Sequence, residues 1–274
     1  MRQNAYAGNC ADCGVDVEPQ GGFRIGFGED GTTVCADHRP VPPPRGDHRG
    51  WHTGALAALD FETTGVDPWT DRIVSYAALG PSGERELVGR INPQIPIPDK
   101  ASAIHGLRDA DVVDAPSPVI ALRELATWVD DLASRSVPLV VFNAAFDLTV
   151  LRTELWRYRL PQPRWDAVLV IDPFVIDYGI ERGRLGSRRL TDVAEYYGIA
   201  LENPHDATCD ARVARDIAIE LGARHPGVVR PEPRLAMAQQ RFWAARRSMD
   251  FNRYALRRRR RLEPIPDWPF AGAA

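Results

Sequence analysis

The stretch GALAALDFETTG, at residues 54–65, constrains the fold more than any other part of the chain. Its small and apolar residues up to Leu59 are typical of a buried β-strand, and Asp60 and Glu62 stand at the end of that strand. Because side chains alternate along a strand, both acids point to the same face. Two carboxylates at this spacing repel each other unless a cation lies between them, and their oxygens suit Mg²⁺ or Mn²⁺. A solvated turn is the alternative, because the three residues that follow have turn character.

Composition restricts the class of protein. The chain has 274 residues, 44% of them hydrophobic, which is enough for one large domain with appendages or for two domains. Its formal net charge is −3, so any attraction to nucleic acid must be local. No apolar run approaches the ~20 residues of a membrane span, and the N-terminus lacks the apolar stretch of a secretory signal. We therefore expect a cytoplasmic protein without a membrane partner, whose cysteines are reduced and available to bind metal.

Four segments differ in composition. Residues 1–39 are rich in glycine and hold three of the four cysteines, and residues 40–50, PVPPPRGDHRG, are predicted to be a linker. Residues 51–228 show the alternating apolar segments of an α/β domain. Residues 229–274 form an arginine-rich extension.

The apolar pattern of the α/β segment predicts five strands and four helices. Short turns join the first three strands, which favours an antiparallel meander. The predicted strands cover residues 54–61, 72–79, 85–91, 137–143 and 167–172. The predicted helices cover about 117–134, 145–158, 190–197 and 206–222. The fold class is therefore predicted to be α/β, with a mixed five-stranded sheet flanked by helices.

Two further segments carry acids near predicted helix starts. VVFNAAFDLTVL places Asp147 in the first turns of a helix, and NPHDATCDARVA contains His205 at a helix entry and Asp210 within that helix. Taken singly, an acid here could serve only the helix N-terminus, and His205 could be a surface histidine. Three acid-bearing segments in an order that lets them converge favour a shared site.

The stretches DFETTG, NAAFD and HDATCDA resemble the three motifs of the DEDD exonucleases, in the DnaQ-like subclass (DEDDh) that has a histidine in the third motif. The proofreading epsilon subunit of bacterial DNA polymerase III belongs to this family. The resemblance covers about residues 51–222, and IPIPDKASAIHGL is similar to the segment that family members place after the third strand. It implies a ribonuclease H-like fold and a 3′–5′ exonuclease domain over residues 51–228.

The resemblance also implies roles for five residues. Asp60 would bridge two Mg²⁺ or Mn²⁺ ions, Glu62 and Asp210 would hold the ion that carries the attacking water, and Asp147 would support the second ion. His205 would act as the general base, because imidazole titrates near neutral pH. Four carboxylates are about the number that a two-metal site for phosphoryl displacement needs. The products would be nucleoside 5′-monophosphates.

The substrate side of the site is expected to be a pocket for the 3′-terminal nucleotide. Thr63 and Thr64 would meet the sugar or phosphate, and Ile104, His105 and Phe146 would line the base. For His105 the alternative is a structural histidine in a turn. The expected substrate is the 3′ end of single-stranded or frayed DNA, with RNA as an alternative, and the expected partner is a polymerase or repair complex. Two other functions stay open: a nucleic-acid- or protein-binding module that has lost catalysis, and a hydrolase of small nucleotides.

The N-terminal segment contains the pairs CADC and CADH. Cys10, Cys13, Cys35 and His38 have the spacing of a tetrahedral structural Zn²⁺ site, with His48 as a substitute for His38. A segment of this length cannot bury much core, so a metal would stabilise its fold. Unrelated buried thiols are the alternative. The module could contact nucleic acid or protein, or serve folding alone.

Apolar and small residues recur in the extension at alternating steps of three and four, which predicts one helix with a packing stripe. The stripe would contact the catalytic domain or another chain. Its members are Leu235, Ala238, Phe242, Ala245, Met249, Asn252 and Leu256. Five consecutive arginines, at residues 257–261, follow it and make a basic helix and arm. This arm would contact backbone phosphates, and a solvated charged face is the alternative.

Overall fold

The N-terminal segment forms two small antiparallel strand pairs. β1 (Gly8–Asn9) pairs with β2 (Asp16–Val17), and β3 (Gly22–Ile25) pairs with β4 (Thr32–Cys35). The computed structural model describes residues 3–25, 32–38, 41–81, 86–181, 187–229 and 232–272. Residues 26–31, between β3 and β4, and the predicted boundary at residues 39 and 40 lie outside these ranges.

The central sheet has five strands in the order β7-β6-β5-β8-β9. β5 pairs antiparallel with β6, β6 pairs antiparallel with β7, and β8 runs parallel to both β5 and β9. These strands are β5 (Ala57–Thr63), β6 (Ile73–Leu79), β7 (Glu86–Arg90), β8 (Leu139–Val140) and β9 (Val170–Ile171). The mixed five-stranded sheet confirms the predicted fold class.

Two strand boundaries differ from the prediction. β5 continues through Thr63, so Asp60 and Glu62 lie within the strand and not at its end, because Ala77 and Ser75 of β6 pair with them. β8 has only two residues, since the chain turns into a helix immediately after Phe142. A register shift between Glu62 and Thr63 bends the end of β5.

All four predicted helices are present, with five others. The predicted ones are α3 (Pro118–Ser134), α4 (Ala144–Arg157), α6 (Leu190–Tyr197) and α7 (Ala207–Arg224), and the extension contains α9 (Pro233–Arg257) as predicted. The sequence reading missed α1 (Asp99–His105), α2 (Asp109–Val112), α5 (Pro173–Ile180) and α8 (Pro226–Val229). The start of α5 had a readable signal: Asp172 is an N-cap followed by proline at the first helical position. No helix in the described ranges combines the length and apolar character needed to cross a bilayer.

Apolar side chains pack on both faces of the sheet. Leu59 of β5 contributes to a cluster with α3 and α4, and Ala58 contributes to a second cluster with α6 and α7. Asp60 and Glu62 share the face of Ala58 by the alternation of the strand, and this is the face that α7 covers. The sheet therefore directs both acids toward the helix that carries Asp210.

The predicted packing stripe of α9 does not contact the catalytic domain. The larger residues of that stripe, Leu235, Phe242, Met249 and Leu256, are between 47% and 64% exposed. Another face is buried instead, made of Ala236, Gln240, Ala244, Ser248 and Ala255. The prediction that the stripe packs on the catalytic domain is wrong, and contact with another chain stays a prediction.

Close approach explains which face of α9 is buried. A Cβ atom at Gly179 of α5 would lie only 2.1 Å from Cδ2 of Trp243, so the missing side chain makes room for the indole. Small residues on the buried face of α9 likewise allow its backbone to approach the neighbouring elements. Beyond α9, the chain turns back and buries Trp268 in the cluster that contains Leu148 and Val170. The chain around Trp268 is thus part of the core, whereas the arginines at residues 257–261 are exposed, and their contact with backbone phosphates stays a prediction.

Candidate active site

The first two acids lie where β5 extends past its parallel neighbour. β8 pairs with Ala57 and Ala58 only, so the backbone of β5 beyond Ala58 has no strand on that side. Asp147, in the first turn of α4, takes that place: the backbone N–H of Phe61 donates to its Oδ1 at 3.2 Å. Asp147 is therefore held against the strand residue that separates Asp60 from Glu62.

The third acidic segment is shaped by the start of α7. Asp206 is the N-cap and accepts the backbone N–H of Cys209 at 3.0 Å. His205 has a φ of 68°, in the left-handed region, and its backbone N–H donates to Oδ2 of Asp210 at 3.2 Å. The local turn thus ties the histidine to the acid five residues later.

These segments converge on one group of ligand atoms. Glu62, His205 and Asp210 each offer an atom that lies within 4.8 Å of the other two. Glu62 and Asp210 are buried, whereas His205 is exposed. Oδ1 of Asp210 is buried and has no hydrogen-bond partner in the described part of the chain. A buried carboxylate oxygen without a donor is rare in folded proteins and marks Asp210 as a candidate functional residue.

The carboxylates strongly perturb one another. Burial, followed by the charges of Asp210 and Asp147, raises the pKa of Glu62 to about 8. Burial raises the pKa of Asp147 to about 8, although the N–H of Phe61 lowers it, and burial raises that of Asp210 to about 6. The pKa of Asp60 is raised well above its usual value by burial and then by Asp147, Glu62 and Asp210. The site therefore concentrates negative charge that protons or cations must balance.

The acid-bearing segments fall within a known family. A profile of the family described as Exonuclease (RNase_T) matches residues 57–218, which contain all four carboxylates and His205. The chain belongs to this exonuclease family. The match confirms the predicted DnaQ-like exonuclease domain. The Cys/His segment and α9 lie outside the matched region.

Two curated relatives are DNA polymerase III proteins. The exonuclease is 28% identical over 207 residues to the PolC-type DNA polymerase III of Thermotoga maritima, which covers 74% of this chain and 14% of that protein. It is 27% identical over 177 residues to the DNA polymerase III subunit epsilon of Treponema pallidum, covering 62% of this chain and 78% of the subunit. The chain thus spans about one seventh of the PolC-type protein.

Solved structures show the same fold. The exonuclease superposes on E. coli exonuclease I in complex with a dT13 oligonucleotide with a TM-score of 0.54 and 20% sequence identity. The superposition covers 64% of this chain and 42% of that one. This likeness confirms the ribonuclease H-like arrangement of sheet and helices.

The residues predicted to contact substrate have different surroundings. The hydroxyl of Thr63 donates to the carbonyl of Gly65 at 2.6 Å, and the buried hydroxyl of Thr64 donates to Oδ1 of Asp71 at 3.0 Å. Both hydroxyls therefore hold the turn after β5. A contact of Thr63 or Thr64 with the terminal sugar or phosphate stays a prediction.

The three residues predicted to line the base lie on α1 and α4. Ile104 is exposed on α1, and Phe146 is half-buried beside Asp147. The N–H of Leu107 donates to Nδ1 of His105 at 3.1 Å, so the proton of the neutral ring is on Nε2. Burial lowers the pKa of His105, and the nearby His205 lowers it further. His105 is thus a partly buried histidine on the edge of the acidic site.

The N-terminal Cys/His residues form a second cluster. One ligand atom from each of Cys10, Cys13, Cys35 and His38 lies within 4.8 Å of the others. Nδ1 of His38 is 3.1 Å from Sγ of Cys35 and 3.7 Å from Sγ of Cys10. Burial opposes ionisation of Cys10, but the backbone N–H groups of Cys35 and Cys13 lower its pKa to about 6. The thiolate is the form that binds metal.

His48 does not belong to this cluster. Its Nε2 lies 2.8 Å from the carbonyl oxygen of Gly222, and its ring contacts that of His52. Arg45 and Gly46 of the same proline-rich segment also bind α7, through Glu220 and the carbonyl of Ala223. The alternative in which His48 replaces His38 is therefore wrong, because α7 holds this segment.

Sequence reasoning missed a fifth buried acid near the site. Asp172 is fully buried after β9, and it accepts the backbone N–H groups of Asn143 at 2.9 Å and of Ala144 at 3.0 Å. It therefore holds the turn from β8 into α4, at which Asn143 has a φ of 63°. Its N-cap signature before Pro173 indicated a helix start, but not this long-range contact.

Proposed function

We propose that this protein is a divalent-metal-dependent 3′–5′ exonuclease that releases nucleoside 5′-monophosphates from the 3′ end of DNA. The observation that carries the proposal is the cluster of Glu62, His205 and Asp210, whose ligand atoms lie within 4.8 Å of one another. Asp60 and Asp147 are outside this group of atoms but close enough for their charges to interact with each other. The family match over residues 57–218 supports the reaction class. The relatives that are DNA polymerase III proteins support DNA as the substrate and a polymerase as a partner.

The acidic site fits two hard cations. Its donors are carboxylate oxygens, which suit Mg²⁺ or Mn²⁺, and the unpartnered buried Oδ1 of Asp210 is available to such an ion. Asp60, Glu62, Asp147 and Asp210 would hold the two ions. When bound, such ions stabilise the charge on the attacking and leaving oxygens of a phosphoryl displacement.

In this proposal His205 would receive the proton of the attacking water. It is exposed, so solvent reaches its ring, and its backbone is fixed to Asp210. The water oxygen would form a bond to the phosphorus of the last phosphodiester while its proton passes to the imidazole. The bond from that phosphorus to the 3′ oxygen of the preceding nucleotide would break, and this oxygen would take up a proton from solvent. A left-handed backbone at a non-glycine residue costs about 1–3 kcal/mol and persists where the surroundings enforce it. In this proposal, the capped start of α7 supplies that constraint.

The terminal nucleotide would bind between α1 and the start of α4. Phe146 and Ile104 would offer apolar surface for the base, and His105 is near enough to His205 for their charges to interact. An aromatic ring stacks on any base, so this surface would accept every terminal nucleotide whatever its base. Thr63 and Thr64, at the end of β5, would contact the sugar or phosphate of the same nucleotide.

The Cys/His cluster would hold one structural Zn²⁺. Three sulfur donors and one imidazole nitrogen form a tetrahedral set of the kind that closed zinc sites use. Cys10 and Cys13 come from the turn after β1, and Cys35 and His38 come from the end of β4. A bound ion would therefore join the two strand pairs of the module.

A gel assay on 5′-labelled single-stranded DNA and RNA, with Mg²⁺ or Mn²⁺, tests the proposal. We expect a ladder that shortens from the 3′ end, is faster on DNA, and disappears with chelation and in Asp60→Ala. Asp206→Asn is the matched control, because asparagine also caps helices and Asp206 is outside the proposed ligand set. Binding of both substrates without shortening would favour the non-catalytic binding module instead.

A further inference from the structure

We infer that the C-terminal extension is a positioning element of the active site, acting through a buried cluster of Asp172, Gln240 and Trp268. This cluster holds the turn that sets the position of Asp147. The inference rests on the proposed function, because Asp147 matters only if the acids bind metal. It assigns a role to residues outside the matched family region.

Asp172 is the centre of the cluster. In addition to the N–H groups of Asn143 and Ala144, its carboxylate accepts those of Phe174 at 3.1 Å and Val175 at 3.4 Å. One carboxylate therefore joins the start of α4 to the start of α5. Because it is fully buried, water cannot replace a lost donor, and the charge of the carboxylate would be less well compensated.

The extension supplies the remaining contacts of this carboxylate. The indole Nε1–H of Trp268 donates to Oδ2 of Asp172 at 3.3 Å. Gln240 of α9 accepts the backbone N–H of Asp172 at 2.7 Å and donates to the carbonyl of Val170 at 3.0 Å. Trp268 and Gln240 are both almost completely buried. The extension thus fixes both the side chain and the backbone of Asp172.

The C-terminal segment also binds α4 directly. The backbone N–H of Ala271 donates to Oγ1 of Thr149 at 2.8 Å, two residues after Asp147. The Nε–H of Arg241 donates to the carbonyl of Trp268 at 3.1 Å and fastens this segment to α9. The first turns of α4 are therefore held from one side by Asp172 and from the other by residue 271.

A displaced start of α4 would move a metal ligand. Asp147 lies three residues after Ala144 and reaches the N–H of Phe61 between the two acids of β5. Groups that orient metal ligands typically change metal affinity by 10–100-fold when they are removed. The cluster of Asp172, Gln240 and Trp268 therefore holds Asp147 in position in addition to packing in the core.

Trp268→Phe in the full chain tests this role, because it keeps most of the buried ring and removes the N–H. Trp51→Phe is the matched control: Trp51 is a buried indole in the other core cluster, and its Nε1–H donates to the carbonyl of Val228 at 3.4 Å. Binding of Mn²⁺ alone is followed by the electron paramagnetic resonance of the free ion, together with kcat, KM and the melting temperature. We expect Trp268→Phe to bind Mn²⁺ about 10-fold more weakly and to lose kcat at limiting Mn²⁺ with little change in KM.

The control separates positioning from stability. Trp51→Phe should lower the melting temperature by a similar amount and keep Mn²⁺ affinity within about twofold of the unmodified chain. Equal Mn²⁺ affinity in Trp268→Phe and the unmodified chain would overturn the inference while leaving the proposed function intact. If Trp268→Phe does not fold, Gln240→Met removes the two other hydrogen bonds with little change of volume, and the same outcomes apply.

The two proposals fail in different ways. Loss of Mn²⁺ binding in Asp60→Ala, with normal binding in the unmodified chain, supports the acidic site on its own. Absence of Mn²⁺ binding and of cleavage in the unmodified chain would overturn the proposed function and the positioning role together.

Discussion

The protein contains two clusters of residues that could hold a metal ion, and the two are built in opposite ways. The Cys/His cluster takes its four residues from a segment of 29 residues, and short strand pairs with few buried side chains carry it. The acidic site takes its ligands from three segments spread from Asp60 to Asp210, and the packed core on both faces of the sheet holds them. The Cys/His residues are close together in the chain, whereas the carboxylates are brought together by the packed core.

This difference predicts opposite responses to metal. In the N-terminal module a metal would supply stability that the small core cannot, because folding and binding are coupled in such modules. In the acidic site the core already holds the carboxylates together, and their raised pKa values show that the arrangement is unfavourable without a counter-charge. Metal removal should unfold the module but leave the exonuclease domain folded and inactive.

The largest expected effect is the loss of catalysis in Asp210→Ala. The change removes a carboxylate whose buried oxygen faces the site, so cleavage should fall by more than about 10³-fold while the circular dichroism spectrum is retained. Asp216→Ala, which changes an acid two turns further along the same helix, is the control and should cleave normally. Substantial cleavage by Asp210→Ala would remove this residue from the metal site.

A smaller loss is expected for His205→Ala. Removing a positioned general base typically slows a reaction by ~10²–10⁴-fold, and Mn²⁺ binding should persist because the carboxylates remain. Single-turnover rates at saturating Mn²⁺ measure the effect. A turnover close to that of the unmodified chain would exclude the histidine from the mechanism.

Replacement of a cluster cysteine should affect the zinc content and leave cleavage at the acidic site nearly unchanged. Cys35→Ser should lose the one equivalent of zinc that we expect per chain, and it should increase proteolysis before residue 40. Cleavage of a short oligonucleotide should change by less than about threefold, because the core holds the acidic site. Cys209→Ser controls for the general loss of a thiol and should retain zinc. Zinc retained in Cys35→Ser would contradict the ligand assignment.

The smallest expected effect is a gain of stability in Glu62→Gln. The pKa of Glu62 is raised from an ordinary value of 4.5 to about 8, so the metal-free folded chain binds a proton that the unfolded chain has lost. This contribution to stability is complete below pH ~4.5 and disappears as pH rises through about 8. At pH 8 the uncharged glutamine should therefore raise the free energy of unfolding by about 1–2 kcal/mol, or about 2–8 °C in melting temperature.

Added Mn²⁺ should reverse this gain, because the unmodified chain then binds the ion more tightly than the variant. Glu124→Gln, an exposed glutamate on α3, is the control and should change stability by less than about 0.5 kcal/mol. A metal-free Glu62→Gln protein that is less stable than the unmodified chain at pH 8 would show that the carboxylates are not in electrostatic conflict.

The sequence determined the parts of this protein that depend on local pattern. Alternation in β5 placed Asp60 and Glu62 on one face, and motif spacing indicated the site that Asp147 and Asp210 complete. The spacing of cysteines was enough to predict the N-terminal cluster, since ligands close in the chain need little tertiary structure to meet. The 3.6-residue period predicted α3 for the same local reason.

Only the tertiary structure decided which surfaces are buried and how polar groups are satisfied. The pattern of α9 showed an apolar stripe, but the close approach is that of Trp243 to Gly179, and size complementarity cannot be read from hydrophobicity. Trp268 lies 96 residues from Asp172 along the chain, and no periodicity links them. Burial of a polar group is stable only where the fold supplies its partner, and that partner is known once the chain is folded.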